Sequence, residues 1–204
     1  MPQRPTASGA RTRQRILDAA EQLMRTVGIA RATTKEIARA AGISEAALYR
    51  HFSGKEEMFV KVLEERLPGL STLIANLAQD PGERTTEECL AEIARTATLF
   101  YEASTPIAAP LFAEPALLER HREGLRKLGA GPHRPLDTLA GYLRSLREAG
   151  RVRADADPDA AAALLLGACY QRAQLTLLAG EESPPASVDA FATSLARTLL
   201  DGIR

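Results

Sequence analysis

The chain has 204 residues, with 26 Lys and Arg against 26 Asp and Glu and a formal net charge of zero, so it can hold one domain or two and is not a globally basic protein that coats nucleic acid. Two cysteines, Cys89 and Cys169, lie far apart without the spacing of a metal site or redox motif, and cytosolic thiols are the expectation. The charge is unevenly placed: residues 1–55 hold ten Lys and Arg against four Asp and Glu, whereas residues 56–204 hold sixteen against twenty-two. A basic head therefore precedes an acidic body, and attraction for phosphate is concentrated in the head.

The N-terminus, with Arg4, Arg11, Arg13 and Arg15 interrupted by Pro, Ser and Gly, lacks the apolar stretch of a signal peptide and reads as a flexible basic arm, bounded at residues 1–11. From Thr12 to Val27, Ile16, Leu17, Ala20, Leu23, Met24 and Val27 recur at helical spacing, and Gly28 ends the run. Thr33 followed by Glu36 is a capping-box pattern, in which hydroxyl and carboxylate satisfy each other's orphan backbone donors. Ile37, Ala38 and Ala41 give that helix a short apolar face, and Gly42 supplies a turn with positive φ. Ser44 is the next N-cap, with Ala47, Leu48 and Phe52 on the buried side and Glu45, Ala46, Tyr49 and Arg50 facing outward. Ser53 with Glu56 repeats the box and places Lys55 in a first turn, where the helix dipole disfavours a cation unless an outside anion such as phosphate is near.

Beyond Phe59 the pattern stays helical. A fourth helix runs through Val62 and Leu63 and is expected to kink or break at Pro68-Gly69 before Leu70 to Leu77, making residues 56–78 a connecting helix. Thr85 with Glu88 is a third capping box, opening a helix past Leu90, Ile93, Ala94, Ala97 and Tyr101. Pro106, Pro110 and Pro115 are expected to cut the chain into short pieces, followed by helices over Leu117 to Leu128 and over Leu136 to Gly150, and by a polar loop from Arg151 to Asp157. Asp157 and Pro158 open a helix that is apolar all the way round from Ala160 to Tyr170, too short for the roughly 20 residues a bilayer requires. A last helix carries Val188, Phe191, Ala192, Leu195, Ala196, Leu199, Leu200 and Ile203 as a wide apolar stripe. The reading is all-α: a three-helix helix-turn-helix domain over residues 12–55, then a larger helical domain over 56–204 for effector binding and dimerisation.

Thr34, Ile37, Ala38, Ala41, Gly42, Ser44, Leu48, Tyr49, Phe52 and Lys55, at their spacing, closely resemble the TetR family of bacterial transcriptional regulators, and the resemblance covers about the first 66 residues. Helix-turn-helix geometry puts residues of the second motif helix in the major groove, so Glu45, Ala46 and Tyr49, with Lys35, are candidates for base edges. Thr34, Ser44, Arg50, His51 and Lys55 are candidates for phosphates, and the matching positions have these jobs in the family. Two departures stand out. Ala47 replaces a threonine common among relatives, and Glu45 puts an acid where it can accept from cytosine N4 but is repelled by phosphates. The competing readings are that Tyr49 packs on the fourth helix and that Arg50 and Lys55 are solvated surface charges.

The resemblance further implies a homodimer through the last two long helices, with Leu164, Leu165, Phe191, Leu195 and Leu199 as candidates, the alternative being a monomer core. It also implies an effector pocket, for which the sequence offers Leu99, Phe100, Phe112, His121, Leu125, Tyr142, Cys169, Gln171 and Arg172 as candidates; a mostly apolar body with isolated polar residues favours a small, largely hydrophobic or amphipathic effector. His121 and His133 have no partners at ligand spacing, so no metal and no cofactor are expected, and no phosphate loop, nucleophile elbow or paired His and carboxylates points to an enzyme. The expected function is a cytoplasmic, ligand-responsive repressor that binds a palindromic double-stranded DNA operator, without a membrane partner. The alternative is a helical ligand-binding or interaction module without specific DNA recognition.

Overall fold

The structure is a computed structural model and describes residues 7–67, 69–180 and 186–203. Among the described residues every regular element is a helix: α1 (Ala7–Arg31), α2 (Thr34–Ala40), α3 (Glu45–Leu48), α4 (Lys55–Glu65), α5 (Leu70–Gln79), α6 (Thr86–Ala108), a 3₁₀ segment (Ala109–Ala113), α7 (Pro115–Lys127), α8 (His133–Glu148), α9 (Pro158–Ala179) and α10 (Val188–Ile203). No described helix is long and apolar enough to cross a membrane.

The chain divides into two compact units, one formed by residues 1–67 and 106–130, the other by 68–105 and 131–204. This differs from the division at residue 56, because α4 and the segment from Pro106 to Ala130 group with the helix-turn-helix. The physical reason is burial: Met58, Phe59 and Val62 of α4 share one core with Ile16, Leu17, Met24, Ile37, Leu48 and Phe52, and with Ile107, Leu111 and Leu117. The second unit has its own core, in which Leu70, Ile74 and Leu77 of α5 meet Leu90, Ile93 and Ala97 of α6, Leu139 and Leu143 of α8, Leu165 and Cys169 of α9, and Ala196 and Leu200 of α10.

Helix α1 already begins at Ala7, so residues 7–11, read from sequence as part of a flexible arm, are its first turns; the rest of that arm, 1–6, lies outside the described residues. Arg13 explains part of this early start, since its guanidinium donates twice to Glu65, at 2.8 and 2.6 Å, and tethers the first turns of α1 to α4. Near its other end α1 breaks at Gly28, where φ is 74°. A Cβ there would lie 2.5 Å from Pro110 Cγ, so this glycine is needed both for its backbone conformation and for close approach.

The expected break between α4 and α5 falls between Glu65 and Leu70, and Pro68 itself lies outside the described residues. Pro106 does not cut α6, which continues to Ala108 before tightening into the 3₁₀ segment. Ile107 is fully buried immediately after it, and that anchorage holds the helical path despite the missing donor. Asp157 caps α9 as its sequence predicts, accepting from the N–H groups of Asp159 and Ala160 at 2.9 and 3.2 Å.

Candidate nucleic-acid interface

The α2-turn-α3 motif is built from reciprocal caps. Thr33 Oγ1 accepts from the Glu36 N–H at 3.2 Å, while Glu36 Oε2 accepts from the Thr33 N–H at 3.1 Å and from its hydroxyl at 2.8 Å. Those bonds from Thr33 to the ionised form hold the Glu36 carboxyl below its ordinary range. At the far end of α2 the Gly42 N–H donates to Arg39 O and the Ile43 N–H to Ala38 O, with Gly42 at φ 66°. The Arg15 guanidinium donates to the Ala41 carbonyl and so ties α1 to this turn. Ser44 then caps α3 by accepting from the Ala47 N–H at 3.2 Å.

Regular α geometry in α3 ends at Leu48, yet its turns continue: the His51 N–H donates to Leu48 O at 2.9 Å and the Phe52 N–H to the same carbonyl at 3.1 Å. Leu48 and Phe52 are buried, which fixes the orientation of the helix about its axis. The opposite face carries Ala46, Tyr49 and Arg50, all exposed, with Lys35 and Ser44 exposed beside them and Thr34, Glu45 and His51 half-buried. Ala47, assigned to the buried side, is only half-buried, because it lies at the edge of the buried stripe led by Leu48. Tyr49 keeps half its surface open, at 51 % exposure, and its hydroxyl lies 3.3 Å from Thr34 Oγ1, so it is not packed away on α4. Thr34 Oγ1 in turn donates to Glu45 Oε1 at 2.6 Å.

Two details differ from the sequence pattern. The partner of Ser53 is Glu57, whose Oε2 accepts from the Ser53 N–H at 2.6 Å and from its hydroxyl at 2.7 Å; Glu56 is drawn instead against α7, where a Cβ on Gly124 would lie 2.5 Å from Glu56 Cγ. Lys55 is half-buried and its ammonium donates to the Ala30 carbonyl at 3.4 Å, at the end of α1. Desolvation lowers the pKa of that ammonium, so Lys55 is not a freely solvated cation.

The nine effector candidates do not fall into one unit. Phe112, His121 and Leu125 belong to the unit with the helix-turn-helix, where Phe112 is 69 % exposed and His121 is buried edge-on against Phe59 at 5.0 Å between ring centres. The other six belong to the second unit. There Tyr142 and Cys169 fill the core, and burial pushes the Cys169 thiol up to about 11. Leu99 and Phe100 are half-buried and Gln171 is exposed. Arg172 is half-buried, 3.6 Å from Glu102 and 5.1 Å from the centre of the Phe191 ring. Two grooves on the first unit, of about 480 and 320 Å³, include none of these residues.

Of the dimer candidates, Leu164 is exposed, whereas Leu165 and Leu199 are buried within this chain's own core, and Phe191 and Leu195 pack partly against it. The reason is helical phase. Ala161, Ala162, Leu165, Leu166, Cys169 and Ala173 form the inward stripe of α9, which leaves Leu164, Leu175 and Leu178 on the outward side. Leu175 and Leu178, which share the outward face of α9 with Leu164, and Leu177, exposed beside them, escaped the sequence reading.

Comparison with known proteins agrees with this architecture. The family model described as bacterial regulatory proteins of the tetR family matches residues 16–62, and that of the AefR-like transcriptional repressor C-terminal domain matches residues 123–201. The HTH-type transcriptional regulator SrpR of Pseudomonas putida is 42 % identical over 66 residues, 32 % of this chain and 31 % of its own length, so the chain matches about a third of that relative. A regulator from Mesorhizobium loti MAFF303099 assigned to the same family has a similar structure, with a TM-score of 0.71 at 22 % identity over 97 % of this chain and 98 % of the other. FadR from Bacillus subtilis in complex with stearoyl-CoA gives 0.66 at 19 % identity, over 94 % and 99 %. The chain belongs to the TetR family of transcriptional regulators.

Proposed function

We propose that this protein is a DNA-binding transcriptional repressor that holds a palindromic operator as a homodimer and releases it when a small, largely hydrophobic effector binds. The observation that carries the reading is the outward face of α3, where Tyr49, Ala46 and Arg50 stand exposed on a helix fixed by buried Leu48 and Phe52. A short helix so oriented suits the major groove, with Glu45, Ala46, Tyr49 and Lys35 toward base edges and Ser44, Arg50 and His51 toward phosphates. Thr34 and Lys55 hold the motif together in the free protein, Thr34 through Glu45 and Lys55 through Ala30.

Dimerisation is supported by the exposed leucines of α9, since a helix-turn-helix reads two half-sites about one or more DNA turns apart only as a pair. The repressor assignment is supported by the description of the C-terminal family model, and the apolar character of the effector by the acyl chain of stearoyl-CoA in the FadR structure. Release follows if the effector binds more tightly to a geometry that does not fit the operator, without touching DNA itself. The reading contains no catalytic step and places the protein in the cytoplasm with its DNA.

Selection of duplexes from a random pool by the purified full-length protein tests it. Enrichment of a palindrome, with binding that weakens steeply as salt rises and is lost in Tyr49→Ala, is the expected result. A folded dimer that enriches no sequence overturns the reading in favour of a ligand-binding module.

A further inference from the structure

The free helix-turn-helix arranges one of its base-facing side chains before any DNA is present. Thr34, the first residue of α2, places its hydroxyl 2.6 Å from Glu45 Oε1 at the start of α3, and the Tyr49 hydroxyl lies 3.3 Å from the same Thr34 oxygen. Proton accounting orders the chain. A carboxylate only accepts, so Thr34 gives its single proton to Glu45, and Tyr49 is left as the donor to Thr34. The Thr34 hydroxyl is therefore not a free donor for phosphate while the chain is intact. Glu45 is left with Oε2 carrying no protein hydrogen bond among the described residues.

An unrestrained glutamate loses rotamer freedom when it is fixed, and near phosphates it is also repelled. Holding Oε1 from behind reduces the first cost, and a carboxylate oxygen accepts strongly from a base N–H. The major-groove edge that offers a donor to such an acceptor and no competing use for it is cytosine, through its N4 amino group.

We propose that Glu45 reads a cytosine in each half-site and that Thr34 is a positioning residue which sets this specificity through Glu45, an assignment that rests on the DNA-binding reading above. Glutamine in the same place has both a donor and an acceptor and matches adenine N6 and N7. Valine at position 34 keeps the shape of threonine and removes the hydroxyl, while serine keeps the hydroxyl.

The test is parallel duplex selection and sequencing with full-length wild type, Thr34→Val, Thr34→Ser and Glu45→Gln at one salt concentration. Wild type is expected to enrich a half-site with one strongly preferred cytosine. Glu45→Gln should move that preference to adenine, Thr34→Val should weaken it by about fivefold while leaving the other positions unchanged, and Thr34→Ser should retain it within about twofold. If Thr34→Val instead lowers affinity evenly for all sequences, Thr34 only stabilises the motif and the proposal is wrong. An enriched half-site whose profile is unchanged by Glu45→Gln also overturns it and leaves the DNA-binding reading standing. A wild type that enriches nothing overturns both.

Discussion

The exposed face of α3 and the exposed face of α9 are opposite uses of a helical surface. On α3 the outward side carries Tyr49 and Arg50 beside Ala46, and Thr34 fixes the directions of Tyr49 and Glu45 through contacts of 3.3 and 2.6 Å. On α9 the outward residues include Leu164, Leu175 and Leu178, exposed to 65 %, 55 % and 81 %, with no directional constraint on what covers them. Hydrogen bonds lose strength quickly with distance and angle, so a face of the first kind is suited to telling apart partners that differ by one donor. Burial of apolar surface is non-directional and scales with area, so the second face supplies affinity for any complementary apolar surface, a second copy of the same helix included.

Charging the apolar face is the strongest way to break that contrast. Leu164→Glu combined with Leu178→Glu is expected to raise the dissociation constant of the proposed dimer at least about a hundredfold, since each leucine removed from an interface forfeits about 1.5–3 kcal/mol of burial. Sedimentation equilibrium reads this directly, and unchanged self-association would remove α9 from the interface. Next comes the support beneath the polar face. Leu48→Ala opens a cavity under α3 and should lower unfolding stability by about 2–5 kcal/mol in chemical denaturation; a loss under about 0.5 kcal/mol would show that the helix is not anchored there. The capping box of α6 is a smaller term. Thr85 Oγ1 accepts from the Glu88 N–H at 3.2 Å, and Thr85→Ala should cost about 1 kcal/mol without altering DNA binding, so a change in DNA affinity at matched folding would contradict a purely local role.

The smallest expected effect concerns acid. Burial lowers the pKa of His121 below its ordinary value, Lys55 adding to this and Glu56 opposing it. The unfolded chain therefore takes up the proton more readily. The contribution of neutral His121 to stability is complete above about pH 6.5 and declines as pH falls through the unfolded value towards the lower folded one. Thermal unfolding at a series of pH values should give wild type a steeper loss below pH 6.5 than His121→Asn; identical slopes would show that the imidazole is not held neutral by its surroundings.

What sequence could reveal depended on how far the relevant partners lie along the chain. The Thr33–Glu36 and Thr85–Glu88 boxes and the Asp157 cap were legible because donor and acceptor lie within one helical turn, as were the inward positions of Ile37, Leu48 and Phe52. Ser53 shows the limit even there, for it bonds Glu57 once Glu56 is committed to Gly124 of a distant helix. The phase of α9 was not legible, since a helix apolar on every side has no pattern to separate Leu164 from Leu165. The Thr34–Glu45 bond joins two helices across a turn and left no mark in spacing. Nor did composition show that His121 and Cys169 belong to different units.

Gly28 constrains how this chain can vary. A side chain there would meet Pro110, and the backbone at φ 74° would be strained for any L-residue even if Pro110 were replaced by something smaller. One compensating change therefore cannot open the position, because it relieves the contact and leaves the strain. Two unrelated restraints on one residue make a site where single-step variation finds no tolerated neighbour, and drift in the surrounding groove has to proceed around it.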